Sequence, residues 1–290
     1  MRIWHQSLTV LDQLPAYEQR MREHIRKVVR PDTEVVMHGM LPGTYPGNYP
    51  GDDISFRFLF TMHSTQWAVH AMNAEAAGFD AFALCSLPDP LLTEIRTLVD
   101  IPVVGCGESC FHLATMYGQR FGMLVFIDRM AERYLQQIES HGLSRHCIGV
   151  QPVGFQFSDV LKAFDQPGPI IDRFRTAARQ LIDAGADVII PGEIPLNLLL
   201  ASEGVSRVDD VPLIDSLAVT LKMAELMVDL KSSTGLSPSR RGWSNAAPSR
   251  ERVKEVLDFY GLGKHSLMAG RDAVSTQLRC AGDHLTEPGE

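Results

Sequence analysis

Two stretches decide how this chain folds: "GFDAFALCSLPDP", residues 78–90, and "GADVIIPGEIPLN", residues 185–197. Each runs from glycine through aspartate into a short apolar segment and then a proline-containing turn. The likeness extends outward. "AGFDAFALC" from Ala77 answers "AGADVIIPG" from Ala184, and "VDIPVVGC" from Val99 answers "DDVPLIDS" from Asp209. Short apolar runs bounded by turn residues read as buried strands. Their recurrence in one order predicts a duplicated unit.

The flanking sequence fits that plan. "RIWH", "EVVMHGM", "DAFALC" and "IPVVGCG" read as strands in the first half. Between them "LPAYEQRMREHIRKVV", "STQWAVHAMNAEAAGF" and "PLLTEIRTLV" read as helices, and "SCFHLATMYGQRF" follows as another. The second half repeats the order, with strands "FGMLVF", "CIGVQPV", "DVIIPG" and "VPLID". Its helices are "ERYLQQIESHG", "PIIDRFRTAARQLIDAGA", "PLNLLLASEG" and "SLAVTLKMAELMVDLKSST". Strands alternating with helices of this length imply parallel sheets. The expected fold class is therefore α/β: two similar lobes, each a parallel sheet flanked by helices, related by a pseudo-twofold axis across a cleft. The expected division is residues 1–119 with 212–232, then 120–211, then a linker, short helix and tail over 233–290. The tail is expected to be mobile or to lie on a neighbouring subunit. In "RERVKEVLDFYGL", Val253, Val256, Leu257 and Tyr260 fall on one helical side. The Gly- and Pro-dense "LPGTYPGNYPGDD" is a long loop, and long loops in compact domains are often functional.

Composition narrows the function classes. With 290 residues, 45% hydrophobic and 21% charged, the chain can bury a core. A net charge of −8 argues against a nucleic-acid surface. No apolar run reaches the roughly 20 residues of a membrane span, and the N-terminus lacks a signal-peptide core. Cys85, Cys106, Cys110, Cys147 and Cys280 are odd in number and widely spread, without a CxxC pair. That fits a reducing compartment, hence a cytoplasmic location. Neither metal-ligand spacing nor a phosphate-binding glycine motif is present, so no metal and no nucleotide cofactor are expected.

Ligands of parallel α/β sheets sit beyond the carboxyl ends of the strands. Cys85, Glu193, His5, Asp215, Gly107 and Glu108 all fall there in this reading. Cys85 and Glu193 would come from opposite lobes and face one substrate from two sides. The turn and helix start after Cys85 would favour a thiolate. An apolar setting would raise Glu193 toward neutral pH, suiting it to acid or base work. Each has a plainer reading: Cys85 as a small apolar filler, Glu193 as a carboxylate in a first helical turn. The amides of Glu108 and Ser109, at a helix start, suit a substrate carboxylate or an enolate oxygen, or belong to an ordinary capped helix. Asp215 is a substrate contact or a cap; Ser216 is read as the cap of its helix.

These residues resemble the aspartate/glutamate racemase superfamily, in its hydantoin-racemase branch. The resemblance rests on "GFDAFALCSLPDPLLTEIRTLVDIPVVGCGESCFHLA" and "AGADVIIPGEIPLNLLL" with "VPLIDSLAVTLKMAE", and covers roughly residues 1 to 230. It implies cofactor-independent chemistry between two lobes, with one cysteine after a strand of each half. Cys85 matches the first. Gly192 and Glu193 stand where the second cysteine is expected. "HQSLT" replaces the asparagine-rich first loop. That loop contacts substrate in the superfamily, which makes His5, Gln6 and Ser7 binding candidates, with Ser86 and Gly192 beside the catalytic pair. Cys106 corresponds to an apolar residue and is read as packing. The resemblance further implies a homo-oligomer, dimer or larger. The leading expectation is a racemase or isomerase of a small carbonyl compound: hydantoin-like, amino-acid-derived or a dicarboxylate. A cysteine hydrolase, a decarboxylase or lyase, and a non-catalytic binding protein are the alternatives.

Overall fold

A computed structural model describes residues 1–47, 49–262 and 277–278 of the chain. The first lobe runs β1 (Arg2–Gln6), α1 (Pro15–Val28), β2 (Glu34–His38), α2 (Gly51–Ile54), α3 (Arg57–Ala76), β3 (Ala81–Leu84), α4 (Leu92–Leu98), β4 (Val103–Gly105) and α5 (Cys106–Tyr117). The second runs β5 (Phe121–Val125), α6 (Met130–Ser140), β6 (Cys147–Pro152), α7 (Phe157–Ala163), α8 (Gly168–Asp183), β7 (Val188–Pro191) and α9 (Ile194–Ser202). There follow β8 (Arg207–Val208), β9 (Val211–Pro212), α10 (Ser216–Thr234), α11 (Arg250–Phe259) and β10 (Gln277–Leu278).

The repeated "AG-x-D" wording has one structural meaning in both halves. Gly78 (φ 74°) and Gly185 (φ 103°) adopt the left-handed backbone that ends α3 and α8. The Gly78 and Phe79 amides donate back to the Glu75 and Ala74 carbonyls, and those of Gly185 and Ala186 to Ile182 and Leu181. This is the Schellman closure that glycine favours. The following aspartates tie each strand to its neighbour. The Asp80 carboxylate accepts from the Arg2 amide at 2.6 Å, and Asp187 from the Gln119 and Arg120 amides at 3.0 and 2.8 Å.

The first sheet has the order β10-β2-β1-β3-β4, the second β6-β5-β7. Pairing is parallel except for β10 against β2. Every residue of β3, β5 and β7 is buried, as expected where helices cover both faces of a parallel sheet. Along β5, Met123 and Val125 enter the larger core shared with the first lobe, and Leu124 enters a smaller core with Phe174 and Leu199. The period-two alternation of a strand thus welds the lobes through one face of the second sheet.

Several expected details differ. "VPLID" forms only the two-residue ladder β8–β9 and a single parallel bridge, Ile189 to Leu213. Its chain turns away after the Ile214 amide donates to the Ile189 carbonyl, so that Asp215 can start α10. That helix packs on α5, β3, β4 and α1. On α11, Val253, Val256 and Leu257 are half-buried, but Tyr260 is exposed beyond the helix end. The segment before it docks through Arg240, which donates to the Arg96 and Val99 carbonyls. The reading of the tail falls, apart from β10, outside the described residues.

Candidate active site

The site follows from strand order. In the first sheet the chain leaves β1 for β2 on one side and returns as β3 on the other; in the second, β5 is flanked by β6 and β7. Each sheet therefore has a switch point, where a crevice opens beyond the carboxyl ends of its strands. The two crevices meet. Ser7 after β1, Cys85 after β3, Ile127 after β5 and Glu193 after β7 line one cavity of about 40 Å³. Ser86 and Gly192 line it as well, with Tyr49 and Pro50 from the Gly/Pro-rich loop and Ile54 from the end of α2.

Cys85 is 2% exposed. Its amide donates to the Gln6 carbonyl at 2.9 Å, extending the β1–β3 ladder by one bond. Burial, with Cys106 nearby, pushes the thiol well above its ordinary value. The expected thiolate is thus corrected: desolvation disfavours the charged form. No helix start favours it either, because α4 begins seven residues later and the α5 start is already capped.

Glu193 is 8% exposed. It holds the N-cap position of α9 but makes no side-chain cap bond. Its carboxylate turns across the cavity and accepts the Phe126 and Ile127 amides at 3.1 and 3.4 Å. Burial pushes it up to about 8, against the pull of those two amides. Gly192 brings it there. A Cβ on that residue would lie 2.6 Å from Val125 Cγ1 and 2.8 Å from the Leu124 carbonyl. Only glycine lets β7 bend away so close to β5.

Other expected contacts are not brought to the cavity. His5 is wholly buried and does not line it; neither ring nitrogen has a hydrogen-bond partner among the described residues. Burial lowers it to about 4, so it stays neutral. Gln6 is structural. Its Oε1 accepts from Trp4 Nε1 at 3.0 Å and meets His70 Nδ1 at 2.8 Å, while Nε2 donates to the Ser7 and Gly39 carbonyls. Glu108 faces a separate groove of about 570 Å³, where Arg96 pairs with it at 2.5 Å and offsets its burial. Ser109 Oγ donates to the Gly105 carbonyl at 2.6 Å. Asp215 caps α10, accepting the Ala218 amide and Asn197 Nδ2 at 3.1 Å each, with His24 Nε2 at 2.8 Å. Cys106 is fully buried packing. Ser7 does reach the cavity, where its hydroxyl pairs with Thr9 at 2.8 Å.

Asp89 is the residue that sequence reasoning passed over. It sits in the turn after Cys85 at φ 46°, a backbone rarely adopted outside glycine. Its carboxylate accepts the Gly107 and Glu108 amides at 3.1 and 2.7 Å and Gln137 Nε2 at 2.9 Å. The start of α5, expected to receive a substrate oxygen, is thus occupied by a side chain of the protein. Burial raises Asp89 to about 7 despite those bonds. A lone Asp in "CSLPDP", well ahead of the "GCGES" helix start it caps, is a weak signal. Nothing local says which helix it caps.

Among the described residues, no three His, Cys, Asp or Glu side chains gather as a metal site, and no helix is long and apolar enough to cross a membrane. What stands in the cavity is a thiol and a carboxyl group at the switch points of two fused α/β lobes, both held protonated by burial. The arrangement defines a class: two-lobe α/β proteins with a proton-carrying group from each half facing a shared interior. Comparison places the chain more closely. A family model described as Asp/Glu/Hydantoin racemase matches residues 61–224, more than half of the chain, and the protein belongs to that family.

Among relatives, a hydantoin racemase of Pseudomonas sp. (strain NS671) is 28% identical over 165 residues, 56% of this chain and 64% of that protein. One of Paenarthrobacter aurescens is 21% identical over 161 residues, 55% and 66% of the two chains. The match thus spans just under two thirds of these relatives' length. Among solved structures, the allantoin racemase from Klebsiella pneumoniae has a TM-score of 0.70 at 25% identity, covering 86% of this chain and 94% of that one. The allantoin racemase from Pseudomonas fluorescens has a TM-score of 0.68 at 22% identity, covering 86% and 97%.

Proposed function

We propose that the protein is a cofactor-independent racemase of a small cyclic carbonyl compound of the hydantoin class. Glu193 and Cys85 exchange protons with opposite faces of one carbon. The observation that carries this reading is the shared cavity, where the two groups arrive from different lobes. The names of the relatives, hydantoin and allantoin racemases, support the substrate class.

Racemisation beside a carbonyl needs a base on one face and an acid on the other. The two groups divide that work by their surroundings. With Glu193 raised to about 8, roughly a tenth of it is ionised at pH 7 and half at pH 8. Cys85, raised further by burial, keeps its proton there. The competent form pairs a Glu193 carboxylate base with a Cys85 thiol acid, and one turnover leaves them exchanged. The raised thiol also tells against a cysteine hydrolase, which needs a thiolate nucleophile.

The cavity of about 40 Å³ is far below the ~300 Å³ at which small-molecule pockets begin. Entry requires an opening motion, and Tyr49 is where it falls, since it lines both this cavity and an outer cleft of about 950 Å³. Incubation in D2O with allantoin, 5-methylhydantoin and 5-benzylhydantoin, followed by NMR, tests the reading. Exchange at the ring carbon without a new product is expected, rising with pH through about 8 as Glu193 ionises. Loss of exchange in both Cys85→Ala and Glu193→Gln is expected too. Ring-opened product, or no exchange with any of the three compounds, refutes the proposal.

A further inference from the structure

Proton removal beside a carbonyl moves negative charge onto the carbonyl oxygen, and something must hold it. The helix start that sequence reasoning offered is taken: Asp89 occupies the Gly107 and Glu108 amides. The Phe126 and Ile127 amides are taken by Glu193. The Tyr134 hydroxyl donates to the Gly192 carbonyl at 3.1 Å. A further buried donor faces the same cavity. Tyr17, on the first turn of α1, is 2% exposed and lines the cavity of Cys85 and Glu193. Its ring is held edge-on to Phe157, at 6.3 Å between centroids. Its hydroxyl makes no hydrogen bond among the described residues, whereas a buried tyrosine hydroxyl usually has a partner. Tyr49 also lines the cavity, but it is only partly buried, lies in the Gly/Pro-rich loop and faces the outer cleft as well.

We infer that Tyr17 is the catalytic group that donates a hydrogen bond to the substrate's carbonyl oxygen and stabilises the enolate formed between Glu193 and Cys85. The inference rests on the racemase reading and adds the electrophile that reading lacks. The Glu193 carboxylate takes the proton from the ring carbon. The C–H electron pair becomes the carbon–carbon double bond, and the carbonyl π pair moves onto oxygen, which accepts from the Tyr17 O–H. Tyr17 keeps its proton throughout, because burial and the neighbouring Cys85 raise its pKa and so keep it a donor. The oxygen pair then returns, and carbon takes the Cys85 thiol proton on its other face. Atoms and charge balance, with Glu193 left protonated and Cys85 ionised.

The test compares wild type, Tyr17→Phe and Tyr117→Phe, using whichever of allantoin, 5-methylhydantoin and 5-benzylhydantoin the wild type exchanges fastest in D2O. Removing one donor of this kind lowers kcat about 10²–10³-fold. Tyr17→Phe is expected to lose that much in kcat with KM changed less than about threefold, because the bond strengthens only as charge develops. Its melting temperature should equal or exceed the wild type's, since no protein partner is lost. Tyr117→Phe, at an exposed tyrosine on the end of α5 remote from the cavity, should retain kcat within about threefold. A Tyr17→Phe enzyme with near-normal kcat, a loss confined to KM, or a clear drop in melting temperature overturns the role of Tyr17 while the racemase reading stands. Absence of exchange in the wild type overturns both.

Discussion

Glu193→Gln isolates the proposed base, whose burial also bears on stability. Glutamine keeps the shape and one carbonyl acceptor for the Phe126 amide but removes the charge. In the folded protein the carboxyl group titrates near 8 instead of 4.5, because burial outweighs the two amides that hold it. A carboxyl raised on folding is favoured in its protonated form. Stability is therefore full below the unfolded value, falls as pH rises between the two values, and levels off above about 8. Integrating that linkage from pH 5 to pH 9 gives a loss of about 4 kcal/mol for wild type, an upper figure that Glu193→Gln does not share. Urea unfolding of both proteins at pH 5, 7 and 9 measures it. The variant is expected to gain at least about 2 kcal/mol on wild type between the extremes, half of that upper figure. Exchange of a hydantoin's ring hydrogen should fall by 10²-fold or more. Stability profiles that run parallel from pH 5 to 9 would mean the carboxylate is solvated in the folded state. Burial would then not make Glu193 a base near neutrality.

Two further substitutions probe how the pair is held. Gly192→Ala puts a methyl group 2.6 Å from Val125 Cγ1 and 2.8 Å from the Leu124 carbonyl. A loss of about 1–3 kcal/mol in chemical denaturation is expected, along with reduced exchange as Glu193 is displaced. Asp89→Asn faces an amide group toward the donors of Gly107, Glu108 and Gln137, which now meet a carboxylate. It should cost about 1–3 kcal/mol by thermal or urea unfolding and lower kcat by loosening the turn after Cys85. An Asp89→Asn protein as stable and as active as wild type would show that this anchor is dispensable.

The burial of Cys85 and Glu193 bears on how this chain differs from the two-cysteine pattern it resembles. In the proposed mechanism a buried thiol held well above its ordinary value and a buried carboxyl group raised to about 8 would separate an acid from a base. Neutral buried His5 adds no charge to that balance. The cost is carried by the fold, which buries two ionisable groups at the junction of its cores.

Much of the fold was legible in local wording. The apolar runs around Ala83 and Ile190, the glycines at 78 and 185 and the aspartates after them specify buried parallel strands, because backbone geometry and hydrogen bonding act within a few residues. Duplication then implied two lobes, and strand-end position put Cys85 and Glu193 in one interior. Side-chain direction was not legible. His5 and Asp215 were also expected at strand ends, yet one is wholly buried within β1 and the other caps α10, and the face a residue presents depends on register against a distant strand. Asp89 on the start of α5, Tyr17 beside Cys85 and the raised pKa values of the site arise where segments far apart in sequence exclude water together. Desolvation belongs to an assembled volume, so only the tertiary structure decides it.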